Sequence, residues 1–300
     1  MKKSHSRIDS LLTAFEELGI FRLLSSSFRS WSRGWPFILL SVLVDFLFVV
    51  SASVVITLIQ FTLFEHLEAL MAMTGEATGG LMNIYNQTSE VSSGLMGLSN
   101  NPDFQYHISV IFKYVGVMIL SVFVLWVIFQ GISWYLAHRM SADKRQPFLV
   151  FWKNFAITSV PFFFLTVIWI FVSVRILFAI KMSIAPVMGE SMLNFLFAVA
   201  VIVTWYFGSL CYTLTSGYAY QNLKQCFVFG VRRFTKVIQS FAALAVIFFI
   251  LDRVLRIGFI RNDPFVLMVI GTILFMPALV FARMLLFKTT QEYWPEQHKK

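Results

Sequence analysis

WPFILLSVLVDFLFVVSASVVITLIQFTLF, residues 35–64, runs for thirty residues with one charge, Asp45. A helix rises about 1.5 Å per residue, so about 20 apolar residues cross the hydrocarbon core of a bilayer. The stretch is continuous rather than alternating, which selects a helix over a barrel strand. Five more runs like it occupy residues 108–136, 148–174, 193–220, 238–257 and 264–287, of which 238–257 is interrupted near one end by Asp252 and Arg253. The chain is 58% hydrophobic and 13% charged, too little charge to cover a soluble domain of 300 residues. The expected fold is all-α: a polytopic bundle of six transmembrane helices over residues 35–287, with a cytoplasmic amphipathic segment at 1–34 and a cytoplasmic tail at 288–300.

Orientation follows from the Lys and Arg residues between spans. One side, carrying both termini, collects 18 of them and the other six, Lys113, Arg175, Lys181, Arg253, Arg256 and Arg261. Both termini are therefore expected in the cytoplasm of a cell-membrane protein. The net charge of +9 is read as this topogenic signal and as an attraction for anionic lipid, not for nucleic acid. The first apolar run is too long for a signal-peptide core and reads as an uncleaved anchor. Cys211 and Cys226 fall on the cytoplasmic side and are expected as reduced thiols.

Ahead of the first span, Ile8, Leu11, Leu12, Phe15, Leu18 and Phe21 recur at helical spacing, the pattern of an amphipathic helix lying in the interface or against another cytoplasmic segment. The loop at 66–107 holds Glu68, Glu76, Glu90 and Asp103 without a Lys or Arg, and opens on FEHLEALMAM, which can prolong the first helix. Its later part carries Met82, Met96 and the sequon Asn86-Gln87-Thr88. Three segments enter their spans alike: SFRSWSRGW before the first, FWKNF before the third and GVRRF before the fifth. Residues 151–168 match 230–247, and residues 26–43 share their character, so that Ser26, Phe151 and Gly230 align. Three tandem helical hairpins are expected. On those segments and the span count, the layout resembles six-helix integral membrane families such as the membrane domain joined to some bacterial glycerophosphodiester phosphodiesterases. The resemblance implies the bundle alone: the long first outer loop departs from it, and it supplies no functional residue.

Asp45 is the sharpest candidate. A carboxylate about 13 Å along a transmembrane helix must be paired, protonated or hydrated. Gln130, Ser133, Thr158, Ser159, Tyr212, Thr213, Thr215 and Ser216 fall at matching depth on the second, third and fourth spans. They are expected to surround Asp45 either as a coupled polar site or as interhelical glue. On the outer rim, Arg175, Lys181, Arg253, Arg256 and Arg261 run against the charge rule and are candidate contacts for anionic lipid, or partners of Asp252, Asp263 and the acidic loop. His66 and His107 lack the spacing of a metal motif, and no metal or other cofactor is expected. No phosphate loop, nucleophile elbow or paired carboxylates occur in the sequence.

Three functional classes fit, in this order: a non-enzymatic scaffold, assembly factor or accessory subunit, with a protein partner or as a homo-oligomer; a transporter or channel built on Asp45; and an intramembrane enzyme acting on lipid. The expected surroundings are the lipid bilayer and its anionic lipids.

Overall fold

The structure is a computed structural model and describes residues 19–78, 101–141, 146–181, 186–214, 219–259 and 264–294. The amphipathic residues 8–18, the loop at 79–100 with Met82, Met96 and its sequon, Thr215, Ser216, Arg261, Asp263 and the last six residues lie outside these. All described elements are helical: α1 Gly19–Arg33, α2 Trp35–Thr78, α3 Pro102–Leu125, a π-helical turn Trp126–Gln130, α4 Gly131–Ser141, α5 Phe148–Lys181, α6 Pro186–Thr213, α7 Ala219–Arg232, α8 Phe234–Phe259 and α9 Pro264–Tyr293. Six stretches within them are long and apolar enough to cross a membrane, Trp35–Met73, Pro102–Ser141, Phe148–Ser173, Asn194–Thr213, Phe234–Arg256 and Gly271–Tyr293. Their outer faces leave Leu58, Phe61, Phe112, Phe195 and Ile202 exposed, apolar surface that water does not tolerate at this extent and lipid does. The chain is a multi-pass membrane helix bundle.

Boundaries differ from the sequence reading where a helix outlasts its apolar run. The first span continues to Thr78, along the FEHLEALMAM segment, and the second starts at Pro102, where Asn101 Oδ1 caps the helix by accepting from the Asp103 N–H at 2.9 Å. The fourth ends at Thr213 rather than 220. Tyr220 instead belongs to α7, a separate amphipathic helix. The sixth continues past Phe287 to Tyr293, so the segment after residue 287 begins as helix.

Two compact units divide the chain, Leu47–Trp126 on the one hand and Met1–Phe46 with Val127–Lys300 on the other. In the first, α2 meets the start of the π-helical turn through Phe48 and Trp126, and meets α3 through His66 and His107. The second is organised around α9, which packs on α1, α4, α6 and α8, while α5 packs on α4, α6 and α7. The buried side chains of α9, Val280 and Ala282 through Phe287, explain why this helix carries the core.

The helices α1 and α7 are built alike. Each ends in one turn-forming residue before its span. Gly34 N–H donates to the Ser30 and Trp31 carbonyls, and its own carbonyl accepts from Phe37 and Ile38. Arg233 N–H donates to the Phe229 carbonyl, and its carbonyl accepts from Lys236 and Val237. With Gly34 set on Arg233, burial coincides along both segments: Leu23 with Asn222, Ser27 with Cys226, Ile38 with Val237, Ser41 with Ser240, and Asp45 with Leu244. The sequence register, Ser26 on Gly230, would place Gly34 on Ile238 and loses this match. Apolar runs align in several registers; the kink and the burial distinguish them. The third lead-in has no such break, because α5 runs unbroken from Phe148 through Pro161.

Candidate functional site

Asp45 sits ten residues into α2 at 2% exposure, and its carboxylate meets three other side chains. Arg283 of α9 forks onto it, Nη1 donating to Oδ2 at 2.7 Å and Nη2 to Oδ1 at 2.9 Å. Oδ1 also accepts from Ser133 Oγ at 2.9 Å and Gln130 Nε2 at 3.1 Å. Gln130 Oε1 accepts from Arg283 Nη2 at 2.8 Å, closing the ring of contacts. The planar guanidinium matches a carboxylate with two parallel bonds, and the amide, one donor and one acceptor, fits between both ions. Asp45, Gln130, Ser133 and Arg283 are all buried. A lone carboxylate or guanidinium at such a place is costly; together, with every named contact hydrogen-bonded, the charges compensate.

The π-helical turn places Gln130 in this ring. A turn widened by one residue changes the face that the following side chains present. Trp152 of α5 reaches this turn, its Nε1–H donating to the Val127 carbonyl at 3.1 Å. The indole comes so close to Gly131 that a Cβ there would stand 2.7 Å from Trp152 Cδ1. Gly131 therefore leaves the space that the Trp152 ring occupies.

The other polar residues of the expected cluster belong to separate contacts. Thr158 donates back to its own helix, to the Asn154 and Phe155 carbonyls. Ser159 Oγ and Tyr212 Oη are in contact at 3.3 Å. Thr213 shares a hydrogen bond with Thr290 of α9 at 2.8 Å, and Ser240 of α8 does the same with Thr289. Tyr212 is linked to the Asp45 ring through Trp134, whose indole packs edge-on to Tyr212 and lies beneath the Arg283 guanidinium. Arg283 escaped the sequence reading because it counts there as a cytoplasmic flank. Its signal was its setting, MPALVFARMLLF, a single cation with apolar residues on both sides.

On the rim, Arg256 donates to Asp252 at 2.8 Å on an exposed helix face, and Arg253 lies over the Phe249 ring. Arg175 and Lys181 belong to α5, with side chains outside those described. His66 and His107 meet at 2.7 Å between their Nδ1 atoms, with Tyr106 against both rings. Among the described residues no three His, Cys, Asp or Glu side chains gather as a metal site. The two cysteines correct the sequence expectation: Cys211 and Cys226 form a disulfide, Cα atoms 5.2 Å apart. Antiparallel packing of α6 and α7 brings them within bridging range. A cavity of about 260 Å³ opens beside α7, lined by Gln221, Lys224, Gln225, Val228 and Trp294, none of them part of the Asp45 ring.

Fold and site together define a class, a six-span membrane bundle whose first and last spans are tied by a buried ion pair. Compared with family models, curated proteins and solved structures, the chain matches none.

Proposed function

We propose that this protein is a non-enzymatic membrane component, a scaffold, assembly or accessory subunit that works through its surfaces. The observation that carries the reading is the state of Asp45. It is sealed at 2% exposure and neutralised by a forked arginine, with Gln130 and Ser133 also donating to it. A coupling carboxylate must lose and regain its proton or cation; one held by four hydrogen bonds is suited to joining helices. The cation bias supports placing both termini in the cytoplasm of a cell membrane, with anionic lipids and a protein partner or second copy as its contacts.

A transporter is the second reading, and it has its own observation. One turn from the ring, Ser41 Oγ and His138 Nε2 are buried without a hydrogen-bond partner among the described residues. Unpaired buried groups are costly, and a hydrated path would satisfy them. Reconstituted in liposomes holding a pH-sensitive dye, the scaffold is expected to give no more proton flux than empty liposomes under either a pH gradient or an imposed potential. Flux that saturates and disappears in Asp45→Asn would replace the scaffold with a transporter.

A further inference from the structure

The lead-in helices α1 and α7 repeat one surface as well as one kink. Phe21, Phe28 and Trp35 recur every seven residues along the first, and Tyr220, Phe227 and Phe234 occupy the corresponding positions of the second. All six are exposed, Phe28 at 60%, Trp35 at 63% and Tyr220 at 78%. Seven residues are nearly two full turns, about 10 Å, so Phe21 and Phe28 lie on one ridge of α1, and Tyr220 and Phe227 on one ridge of α7. The opposite faces are accounted for: Leu23 and Ser27 are buried in one, Asn222 and Cys226 in the other. The aromatic ridges keep exposed surface even where a ring also packs inward, as Phe227 does on Phe207 and Phe234 on Tyr206.

Charge gives the occupant of these ridges. Neither segment, 19–44 or 219–251, contains an Asp or Glu. Arg29, Arg33, Lys224, Arg232, Arg233 and Lys236 are exposed on them. Arg22 is engaged by Glu292 of α9 and is not counted with them. Position gives the rest. The two lead-ins precede the first and fifth of six spans, which start on the same side of the membrane, and one residue separates each from its span. A ridge of Phe, Tyr and Trp at that level lies where amphipathic rings partition, between headgroups and acyl chains.

We propose that α1 and α7 form a paired membrane-surface site for anionic phospholipid, with the aromatic ridges set at the glycerol level of one leaflet and the arginines and lysines on the phosphates. The proposal deepens the lipid contact of the preceding section and is independent of the scaffold role, since a transporter could carry it equally. It places the anionic lipid on the lead-ins rather than on the opposite rim, where Arg256 already has Asp252 and Arg253 covers Phe249.

Two measurements on the full-length protein test it. The first is retention of phosphatidylglycerol against phosphatidylcholine after detergent extraction, read by native mass spectrometry. Each cation near an anionic surface adds to the attraction for the lipid, so the variant Arg29→Gln, Arg33→Gln, Arg232→Gln, Arg233→Gln is expected to lose phosphatidylglycerol more than about tenfold. The rim variant Arg253→Gln, Arg256→Gln is expected to keep it. The second is the depth of a nitroxide placed singly at Phe28 or Phe227, in a protein reconstituted in phosphatidylglycerol vesicles, read from its accessibility to oxygen and to a water-soluble nickel chelate. Both labels are expected at one depth, just below the phosphates. Unchanged retention in the four-arginine variant, loss in the rim variant instead, or labels at unequal depths or in water would each overturn the proposal. If the four-arginine variant does not fold, the label depths decide.

Discussion

Arg283 reaches Asp45 from 238 residues further along the chain and meets it with two bonds, at 2.7 and 2.9 Å. The contact ties the first span to the last. Arg283→Met would leave a buried carboxylate without its counter-ion, and a loss of roughly 3–5 kcal/mol is expected. Replacing both ions, Asp45→Leu with Arg283→Met, removes the desolvation cost along with the attraction and is expected to regain most of that loss. Equilibrium unfolding in dodecyl sulfate, followed by tryptophan fluorescence, measures both. A double variant no better than the single one would mean that Gln130 and Ser133 need the charges.

Gly131, next to the π-helical turn, leaves the space in which Trp152 sits. A Cβ there meets the Trp152 ring at 2.7 Å, and the ring is anchored to the Val127 carbonyl. Gly131→Ala is expected to destabilise by about 1–3 kcal/mol through overpacking. Trp152→Phe alone is expected to cost about 1 kcal/mol for the lost hydrogen bond. Because both changes act on one contact, their effects are expected not to add in the double variant, and the same unfolding assay reads the coupling.

The six spans were legible because hydropathy and length carry them, and so was the need of Asp45 for company. The identity of its partner was less so. Gln130 and Ser133 share its depth, which spacing along each helix reveals. Arg283 lies near the end of an apolar run, where the charge rule absorbs it as a flank. Tyr212, Thr213 and Thr158 also share that depth, yet they face other neighbours, since depth along an axis does not fix rotation about it. The equivalence of α1 and α7 was visible as basic, aromatic lead-ins, but its register rests on the kink at Gly34 and Arg233, which no hydrophobic pattern encodes.

The hydroxyl pairs Thr213–Thr290 and Ser240–Thr289 fasten α6 and α8 to α9. Such bonds stabilise a membrane bundle by only about 0.6 kcal/mol on average, because hydroxyls also find acceptors on their own helix. Thr289 and Thr290 have that alternative at the Leu285 and Leu286 carbonyls. Ser240→Ala and Thr213→Val are each expected to lower stability by less than about 1 kcal/mol, well below Arg283→Met. A larger loss would show these pairs to be part of a wider network.

Orientation is open to direct labelling. The 18 to six division of Lys and Arg predicts that a cysteine at Ser93 reacts with an impermeant maleimide in sealed cells and that one at Ala142 reacts only after permeabilisation. Reaction at Ala142 in sealed cells would reverse the assignment of the termini.

The disulfide bears on the same question. Cys211 and Cys226 are the only cysteines of the chain and are 15 residues apart. A crosslink closing a loop of that length stabilises by about 3 kcal/mol in the chain-entropy treatment, and it ties α7 to the end of α6. Denatured in dodecyl sulfate without reductant, the protein is expected to take up no maleimide-polyethylene glycol; after reduction it is expected to take up two. Cys226→Ser is expected to lower stability by about the same 3 kcal/mol and to free α7 more than any span, which hydrogen exchange of its amides would read. Two reactive thiols in the unreduced protein would mean that the pair stays reduced where the protein resides and that packing alone holds α7 in place.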